Sequence, residues 1–188
     1  CFGRCGIGNG QFSCPTGVAM HPATRRIFVC DHNNHRIQVF SEDGVYQYQF
    51  GSAGGAPGQL YYPERVCIDC DADEIFVTEN LNHRVSVFAT SGKFLRCFGS
   101  KGSDVGQFNF PRGIALDPLT RHVIVAVQFN QRLQIFDGLG THLRSFGTEG
   151  NGLHQFDQPG GICVHPVTGH VLVADYNNHR VHVFPPSI

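Results

Sequence analysis

Short apolar runs alternate with turn residues along the whole chain, and they recur in a fixed order. Each set begins with a nearly continuous apolar run a few residues after a proline, for example Val66-Cys67-Ile68 after Pro63. A second apolar run follows a polar turn, a third alternates as in Arg36-Ile37-Gln38-Val39-Phe40, and a fourth follows a glycine turn. Such runs predict strands, and no stretch has the period of an amphipathic helix. The first strand of each set, apolar on both faces, is expected to be innermost.

The same runs return at a spacing of 48 residues, without insertion or deletion, and the sequence stops after the third run of the fourth set. Four equivalent arginines mark this spacing: Arg36, Arg84, Arg132 and Arg180. A fixed period of this length indicates a repeat architecture. Four short antiparallel strands per repeat are typical of a propeller blade, because a lone sheet cannot bury both of its faces and needs neighbouring blades. We therefore predict an all-β fold, a β-propeller built of four-stranded antiparallel blades.

A motif precedes the third strand of each repeat, an acidic residue followed by an Asn-His-Arg segment. Three copies are well preserved, and the third copy in chain order is eroded: Asp31–Phe40, Glu79–Phe88, Val127–Phe136 and Asp175–Phe184. The motif resembles the NHL repeat, and the resemblance covers nearly the whole chain. NHL propellers are usually six-bladed, so the resemblance implies that these repeats are an excerpt of a larger ring. A closed four-bladed ring and a ring completed by a second copy remain as alternatives.

The whole chain, residues 1–188, is predicted to form one propeller domain. Its blades are expected at about residues 4–51, 52–99, 100–147 and 148–188. Features that every blade shares are interpreted as scaffold. Each acid is expected to pair bidentately with its arginine and to brace the loop, and each motif histidine is expected to bind nearby backbone. Val127 leaves Arg132 without a local acid, so Arg132 is expected to turn to a neighbouring blade or to solvent. Two aromatic series are expected to pack between blades: Phe40, Phe88, Phe136 and Phe184, with Phe50, Phe98 and Phe146.

Composition and charge restrict the function classes. The 14 Lys and Arg against 15 Asp and Glu give a formal charge of −1, which provides no global basic surface for nucleic acid or an anionic membrane. No apolar run reaches the roughly 18 residues that a membrane-spanning helix needs. Cys30, Cys67 and Cys163 occupy slots that hold alanine in other repeats, so they are expected to be interior fillers. Cys67 and Cys70 have Cys-x-x-Cys spacing but no second pair to complete a zinc site. Reduced thiols favour a cytoplasmic location.

One set of polar residues has the chemistry of metal ligands. Imidazole and carboxylate groups stand where the four first strands end, and such groups can bind zinc if they converge. The members of this set are His21, Asp69, Asp117 and His165. We favour the competing interpretation, in which each residue caps its own turn. No nucleophile with its base, phosphate-cradling loop or EF-hand is recognisable. We therefore predict no cofactor, no metal and no enzyme activity, with a metal-dependent lyase or lactonase-like propeller as an alternative.

The variable loop positions are the candidate binding site, because the blades differ most there and loops on a rigid scaffold tend to carry function. These positions come directly after the prolines and directly after the acidic residues. Arg65 takes a position that is glycine in the other three repeats, which suggests that the backbone does not require glycine there. The candidate partner-binding residues are Arg65, Arg112, His32, Asn80, Gln128, Phe129 and Tyr176.

A non-enzymatic binding module that presents these loops to a protein or peptide is the favoured function. Arginine beside exposed aromatic rings also suits single-stranded RNA. The resemblance implies RNA as an alternative, because tripartite-motif and Brat-like NHL domains bind it on a basic face. The chain has only two lysines, Lys93 and Lys101, so an extensive basic face is not expected. Open blade faces would favour self-association, and no membrane partner is expected.

Overall fold

The computed structural model of the protein describes residues 1–186. In these residues the chain forms four antiparallel sheets, each with the strand order of a propeller blade, so the predicted all-β propeller fold is confirmed. No α-helix occurs in this described part, and the only helical segments there are the short 3-10 turns His32–Asn34 and Gln128–Asn130. A helix long and apolar enough to cross a membrane is not found among the described residues. The chain divides into two compact units, Cys1–Cys97 and Phe98–Ile188.

The first unit holds the first two blades. A short parallel pair, β1 (Arg4–Cys5) with β2 (Gln11–Phe12), precedes the first blade. In both blades each strand pairs antiparallel with the next one along the chain. The strands of the first blade are β3 (Pro15–Met20), β4 (Ile27–Asp31), β5 (Arg36–Phe40) and β6 (Tyr46–Phe50). Those of the second are β7 (Pro63–Asp69), β8 (Glu74–Glu79), β9 (Arg84–Ala89) and β10 (Phe94–Phe98).

The second unit repeats this arrangement, and its last sheet has three strands in the described residues. The third blade contains β11 (Pro111–Leu116), β12 (Val123–Val127), β13 (Arg132–Phe136) and β14 (His142–Phe146). A parallel pair follows, β15 (Thr148–Glu149) with β16 (Gln155–Phe156). The fourth blade contains β17 (Pro159–Val164), β18 (Val171–Asp175) and β19 (Arg180–Phe184). Ser187 and Ile188, the end of the fourth blade expected from the sequence, lie outside the described residues.

Neighbouring blades within each unit share an apolar core. In the first unit, Phe28 and Ile37 of the first blade belong to one buried cluster with Ile75 and Val77 of the second. The second unit has an equivalent cluster, in which Ile135 of the third blade and Val173 of the fourth take part. Burial of this kind is the main stabilising contribution to a propeller, because each sheet covers the apolar face of the next.

The aromatic series predicted from the sequence packs between blades. A phenylalanine at the end of each outer strand meets a phenylalanine of the next blade's third strand, with ring centroids 4.9 Å apart in every case. The pairs are Phe50 with Phe88, Phe98 with Phe136, and Phe146 with Phe184. Aromatic pairs at this distance contribute stabilisation beyond that of the apolar area they bury.

Two sheet faces remain exposed, contrary to the expectation that every first strand is buried on both sides. Val18 and Met20 of β3 are 66% and 49% exposed, and Val181 and Val183 of β19 are each 62% exposed. Cys163 is exposed on the same face of the fourth blade, so its predicted interior role is wrong. No described residue covers that face. Cys30 is fully buried as expected, and burial raises the pKa of the Cys30 thiol far above its usual value.

Close packing between first strands explains the recurring glycine that Arg65 replaces. A Cβ atom on Gly17 would lie 2.7 Å from Cα of Arg65, and one on Gly113 would overlap the carbonyl oxygen of Gly160. The φ angles of Gly17 and Gly113 do not require glycine, so the requirement comes from the close approach of the next first strand, which the sequence analysis did not anticipate. At Gly161 the nearest atom is Cβ of Ala174 at 3.7 Å, an ordinary contact.

Candidate binding face

Sheet register brings the two variable loop series together at one end of each blade. The proline that starts each first strand pairs with the acidic position at the end of the second strand. The pairs are Pro15 with Asp31, Pro63 with Glu79, Pro111 with Val127, and Pro159 with Asp175. A register shift follows every one of these prolines, and such bulges re-aim side chains at a sheet rim. We call this end of a blade, with the residues flanking the proline and those following the acid, its loop face.

An acid–arginine pair braces the loop face in three blades. Nε of Arg36 lies 2.7 Å from Asp31, Nε of Arg84 lies 2.6 Å from Glu79, and Arg180 makes the same contact with Asp175 at 2.9 Å. The predicted pairs are present, but each one uses a single Nε contact rather than a bidentate contact. Nη2 of each arginine instead donates to a backbone carbonyl oxygen of the turn before the blade, that of Gln11, Gln59 or Gln155.

The third blade lacks the acid, and its arginine is poorly satisfied. Arg132 donates from Nη2 to the carbonyl oxygen of Asp104 at 2.7 Å. Asp104 lies in the turn before the same blade, so Arg132 does not turn to a neighbouring blade. Nε of Arg132 is buried with no hydrogen-bond partner in residues 1–186. Burial lowers the pKa of Arg132, and the nearby Asp104 carboxylate only partly opposes this effect.

The motif histidine position is a left-handed corner in all four blades, and in the first and third blades its side chain bonds to the next blade. The φ angles are 55° at His35, 50° at His83, 53° at Gln131 and 53° at His179. Nδ1 of His35 accepts a hydrogen bond from the backbone N–H of Tyr62 at 3.1 Å. Oε1 of Gln131 accepts one from the backbone N–H of Gln158 at 2.6 Å, so glutamine replaces histidine in this role.

Three candidate residues of the first unit converge on one buried carboxylate. Glu64 is only 6% exposed, and Oε2 of Glu64 lies 3.3 Å from Nδ1 of His32 and 3.4 Å from the amide nitrogen of Asn80. Arg65 approaches the other carboxylate oxygen at 3.6 Å, and its side chain is 37% exposed. Oδ1 of Asn80 is buried without a hydrogen-bond partner among the described residues. The result is a polar cluster whose single acid is shielded and whose cation faces solvent.

An aromatic cluster beside Glu64 is the part of this face that the sequence analysis missed. Tyr61 stacks on the imidazole of His35 at 5.0 Å, and Tyr62 packs edge-on against the same ring at 4.5 Å. Tyr62 also contacts the His32 ring at 5.0 Å. Burial, and to a smaller extent the neighbouring His32, lowers the pKa of His35, so the stacked ring favours its neutral form. The two residues before each proline vary between blades as strongly as those after it, and that variation is the signal that could have located the cluster.

The second unit places its candidate residues in two groups. The guanidinium carbon of Arg112 lies 5.9 Å from the ring centroid of Tyr176, within the range of a cation–π contact, and the Tyr176 side chain is 64% exposed. Phe129, 44% exposed, packs edge-on against Phe110 at 5.0 Å. The amide of Gln128 donates to Oε1 of Gln158 at 2.9 Å.

At the other end of the first strands, the proposed metal ligands cap their own turns, as the competing interpretation predicts. Asp117 accepts from the backbone N–H of Leu119 and from the Thr120 hydroxyl. In the equivalent positions His21, Asp69 and His165 each accept two backbone N–H groups of the following turn. Among the described residues, no group of three or more His, Cys, Asp or Glu side chains is close enough together to hold a metal ion.

The fold and the loop face define a repeat β-propeller, and comparison with known proteins identifies the repeat. The NHL repeat profile matches residues 12–40, 60–88 and 156–184. The eroded third copy lies between these matches. The chain is 50% identical over 50 residues to Protein brain tumor of Drosophila melanogaster, covering 27% of this chain and 5% of that protein. It is 48% identical over 48 residues to B-box type zinc finger protein ncl-1 of Caenorhabditis elegans, covering 26% of this chain and 6% of that protein.

Solved structures share the fold at low sequence identity. A propeller from a nidogen/laminin complex has a TM-score of 0.69 at 17% identity and covers 96% of this chain and 66% of its own. Virginiamycin B lyase from Staphylococcus aureus has a TM-score of 0.65 at 17% identity, and the match covers 94% of this chain and 57% of the lyase chain. At this identity the likeness concerns the fold alone. The NHL repeat matches and the two sequence relatives support the NHL-repeat family for this chain.

Proposed function

We propose that the protein is a non-enzymatic binding module whose loop faces take a protein or peptide partner. The observation that carries the proposal is the cluster of Tyr61, Tyr62 and His35 beside Arg65 in the first unit. Tyrosine and arginine are the residues most enriched in the energetically dominant centres of protein interfaces. The Arg112–Tyr176 contact supports the same role for the second unit. Eight unpaired cysteines favour a reducing compartment as the place where the module acts.

The test is affinity capture from a lysate of the source cells, followed by titration calorimetry with the partner that is recovered. Tyr61→Ala combined with Arg65→Glu should lower the affinity for that partner by about 100-fold, as expected for the loss of two interface anchors. Arg25→Glu is the matched control, because Arg25 is an exposed arginine paired with Glu42 in the first blade, at the end opposite the loop face of that blade. Equal binding by the double variant and the wild type would contradict the proposal.

RNA is the second candidate ligand of the same face. Stacking of bases on exposed rings and contact with arginine would support it, but each unit offers one candidate arginine, Arg65 or Arg112, to its loop face. An RNA selection on the purified protein distinguishes the two ligands. Enrichment of a sequence motif that Arg65→Glu and Arg112→Glu abolish would favour RNA over a protein partner.

The non-enzymatic part of the proposal has its own test. A virginiamycin B lyase shares the fold, but the imidazole and carboxylate acceptors His21, Asp69, Asp117 and His165 already serve as turn caps. Elemental analysis after dialysis against zinc or calcium is expected to find less than stoichiometric metal. One tightly bound ion per chain would contradict this part.

The exposed sheet faces support self-association through a second copy. Val18 and Met20 are equivalent, one repeat earlier, to Val66 and Ile68, which pack against the first blade. On the fourth blade, Val181 and Val183 are equivalent to Ile37 and Val39 of that packed interface. The two exposed faces are thus the two complementary halves of a blade–blade contact, and we expect head-to-tail association of copies.

Sedimentation equilibrium tests this expectation. The wild type should associate with rising concentration, and Val181→Lys with Val183→Lys should shift it to monomer. Val105→Lys is the matched control, since Val105 is equally exposed, at 69%, but lies in a turn between blades. A wild type that stays monomeric at every concentration would exclude this association.

A further inference from the structure

A second position that varies between blades lies on the sheets themselves, away from the loop faces. Two side chains of the same blade meet there. One stands at or just before the start of the second strand, and the other belongs to the outer strand. In the first blade, Arg26 lies over the Tyr48 ring at 5.8 Å. In the second blade, Arg96 binds both carboxylate oxygens of Glu74, at 2.8 and 2.5 Å. The third blade has His122 and Arg144 at these positions.

The third blade therefore keeps the arginine but lacks the acid that binds it in the second blade. The Arg144 guanidinium makes no hydrogen bond or ion pair with any residue in the described part of the chain. Ile135, its neighbour across the strand pair, belongs to the apolar core of the second unit. The Arg144 guanidinium, a bidentate donor group, thus lies beside an apolar residue and is not paired with an acid of its own blade.

A cavity of about 160 Å³ opens beside this arginine within the second unit. Its polar lining residues, which we call its polar wall, are Arg144, His122, Thr120 and Asp117, and its apolar lining residues include Ile135 and Val171. The cavity is larger than the roughly 30 Å³ that one water molecule occupies in the liquid. It therefore has room for a carboxylate together with the methylene groups that carry it.

The other polar groups of the wall are already engaged. Asp117 accepts from the Leu119 N–H at 2.9 Å and from the Thr120 hydroxyl at 2.7 Å, so the turn uses both of its oxygens. The Thr120 oxygen in turn accepts the backbone N–H of His122. The groups left to bind a ligand are the Arg144 guanidinium and the His122 imidazole, which carries an N–H donor in either tautomer.

We propose that this cavity binds a carboxylate side chain, glutamate or aspartate, of a partner polypeptide. The carboxylate takes the place that Glu74 holds in the second blade and accepts two parallel N–H bonds from Arg144, a geometry that guanidinium and carboxylate groups match well. Ile135 and Val171 contact the methylene groups of the ligand. The site lies at the end of the blade opposite the loop face, so it adds a contact that the proposed function does not include.

The experiment follows the Nε–Hε signal of Arg144 by NMR in nitrogen-15-labelled full chain, assigned by its loss in Arg144→Gln. The probes are acetyl-Leu-Glu-Leu-amide and its glutamine counterpart, with sodium butyrate and inorganic phosphate as free anions. The glutamate peptide should shift this signal with saturation, and the glutamine peptide should bind at least about fivefold more weakly, as expected for loss of one charge pair.

Variants sharpen the test. His122→Glu recreates the acid of the second blade. The new carboxylate should form an ion pair with Arg144 and abolish peptide binding, although Arg144 is still present. Arg96→Gln is the matched control and should leave binding unchanged, because Arg96 is already paired with Glu74. Peptide binding unaffected by His122→Glu would overturn the site, since that variant keeps the fold and the arginine. Butyrate binding as tightly as the glutamate peptide would overturn the polypeptide ligand, and tighter binding of phosphate would overturn the carboxylate.

Discussion

At the scale of single residues, equivalent side chains contribute differently to stability in different blades because their partners differ. Asp31 is completely buried, and Arg36 is its charge partner. Arg132 occupies the equivalent position with no acid to pair with and one buried nitrogen unsatisfied. The pair in the first blade is thus a structural requirement, whereas the arginine of the third blade is a remnant held by one backbone carbonyl.

The contrast predicts unequal costs for one substitution at equivalent positions. Arg36→Ala should lower the free energy of unfolding by roughly 3 kcal/mol, because it leaves the buried Asp31 carboxylate without its countercharge. Arg132→Ala should cost about 1 kcal/mol or less, the value of one hydrogen bond. Urea denaturation of the two variants measures both. Equal costs would show that the pair does not brace the blade.

Asp175 predicts a dependence of stability on pH. Burial alone would raise the pKa of this carboxyl, but hydrogen bonds from the Asp157 backbone N–H, Asn178, Arg180 and His182 outweigh it and lower the pKa below the usual value. Because the folded-state pKa lies below that of the unfolded chain, about 3.9, the contribution is present above that pH. It is lost as the pH falls through the folded-state value.

Urea denaturation at several pH values between 6 and 2 tests this. The advantage of the wild type over Asp175→Asn should be constant near pH 6 and should shrink as the pH falls below about 4. An advantage that persists unchanged at the lowest pH would contradict the assignment of Asp175 as an ionised strut.

At the scale of strands, packing between first strands decides which glycines are needed. The apolar runs predicted the four strands of a blade, but not how closely two first strands approach. Gly113 looks like Gly161 in the sequence, since both follow a proline by two residues. Only Gly113 faces the backbone of a following blade. The two glycines differ because a following blade packs against Gly113 but not against Gly161 in the described residues, and the repeat pattern does not show this.

Alanine substitution at these two glycines separates the effects. Gly113→Ala should destabilise the protein by about 2 kcal/mol, because its Cβ would overlap the carbonyl oxygen of Gly160 and force the strands apart. Gly161→Ala should be neutral or slightly stabilising, since nothing nearer than 3.7 Å opposes it. Thermal unfolding compares them. Equal loss in both variants would mean that the glycine serves another purpose.

The candidate site was predicted in part for a similar reason. Comparing repeats located His32, Arg65 and Asn80, and the structure brings these three around Glu64. It missed Tyr61 and Tyr62, because their role depends on stacking with a histidine of the preceding blade. The variation of the two residues before each proline could have drawn attention to them, but their stacking partner in the preceding blade is visible only in the structure.

At the scale of the whole molecule, one rule accounts for most of the chain. Positions that repeat in every blade build the scaffold, and positions that differ are free to bind partners. Repeated positions predicted the blades and the packing of the phenylalanine series between them. Applied to the sheet surfaces, the rule also leads to His122 and Arg144, which the loops alone would not have indicated.

Every position of the chain can be tested against this rule in one measurement, a proteolysis-based stability scan of all single substitutions. The cost of substitution should recur with a period of 48 residues, with high values at Asp31, Glu79 and Asp175. Arg65, Arg112 and Tyr176 should tolerate most replacements. Costs at these three positions as large as those at the acidic struts, or costs without the repeat period, would contradict the account.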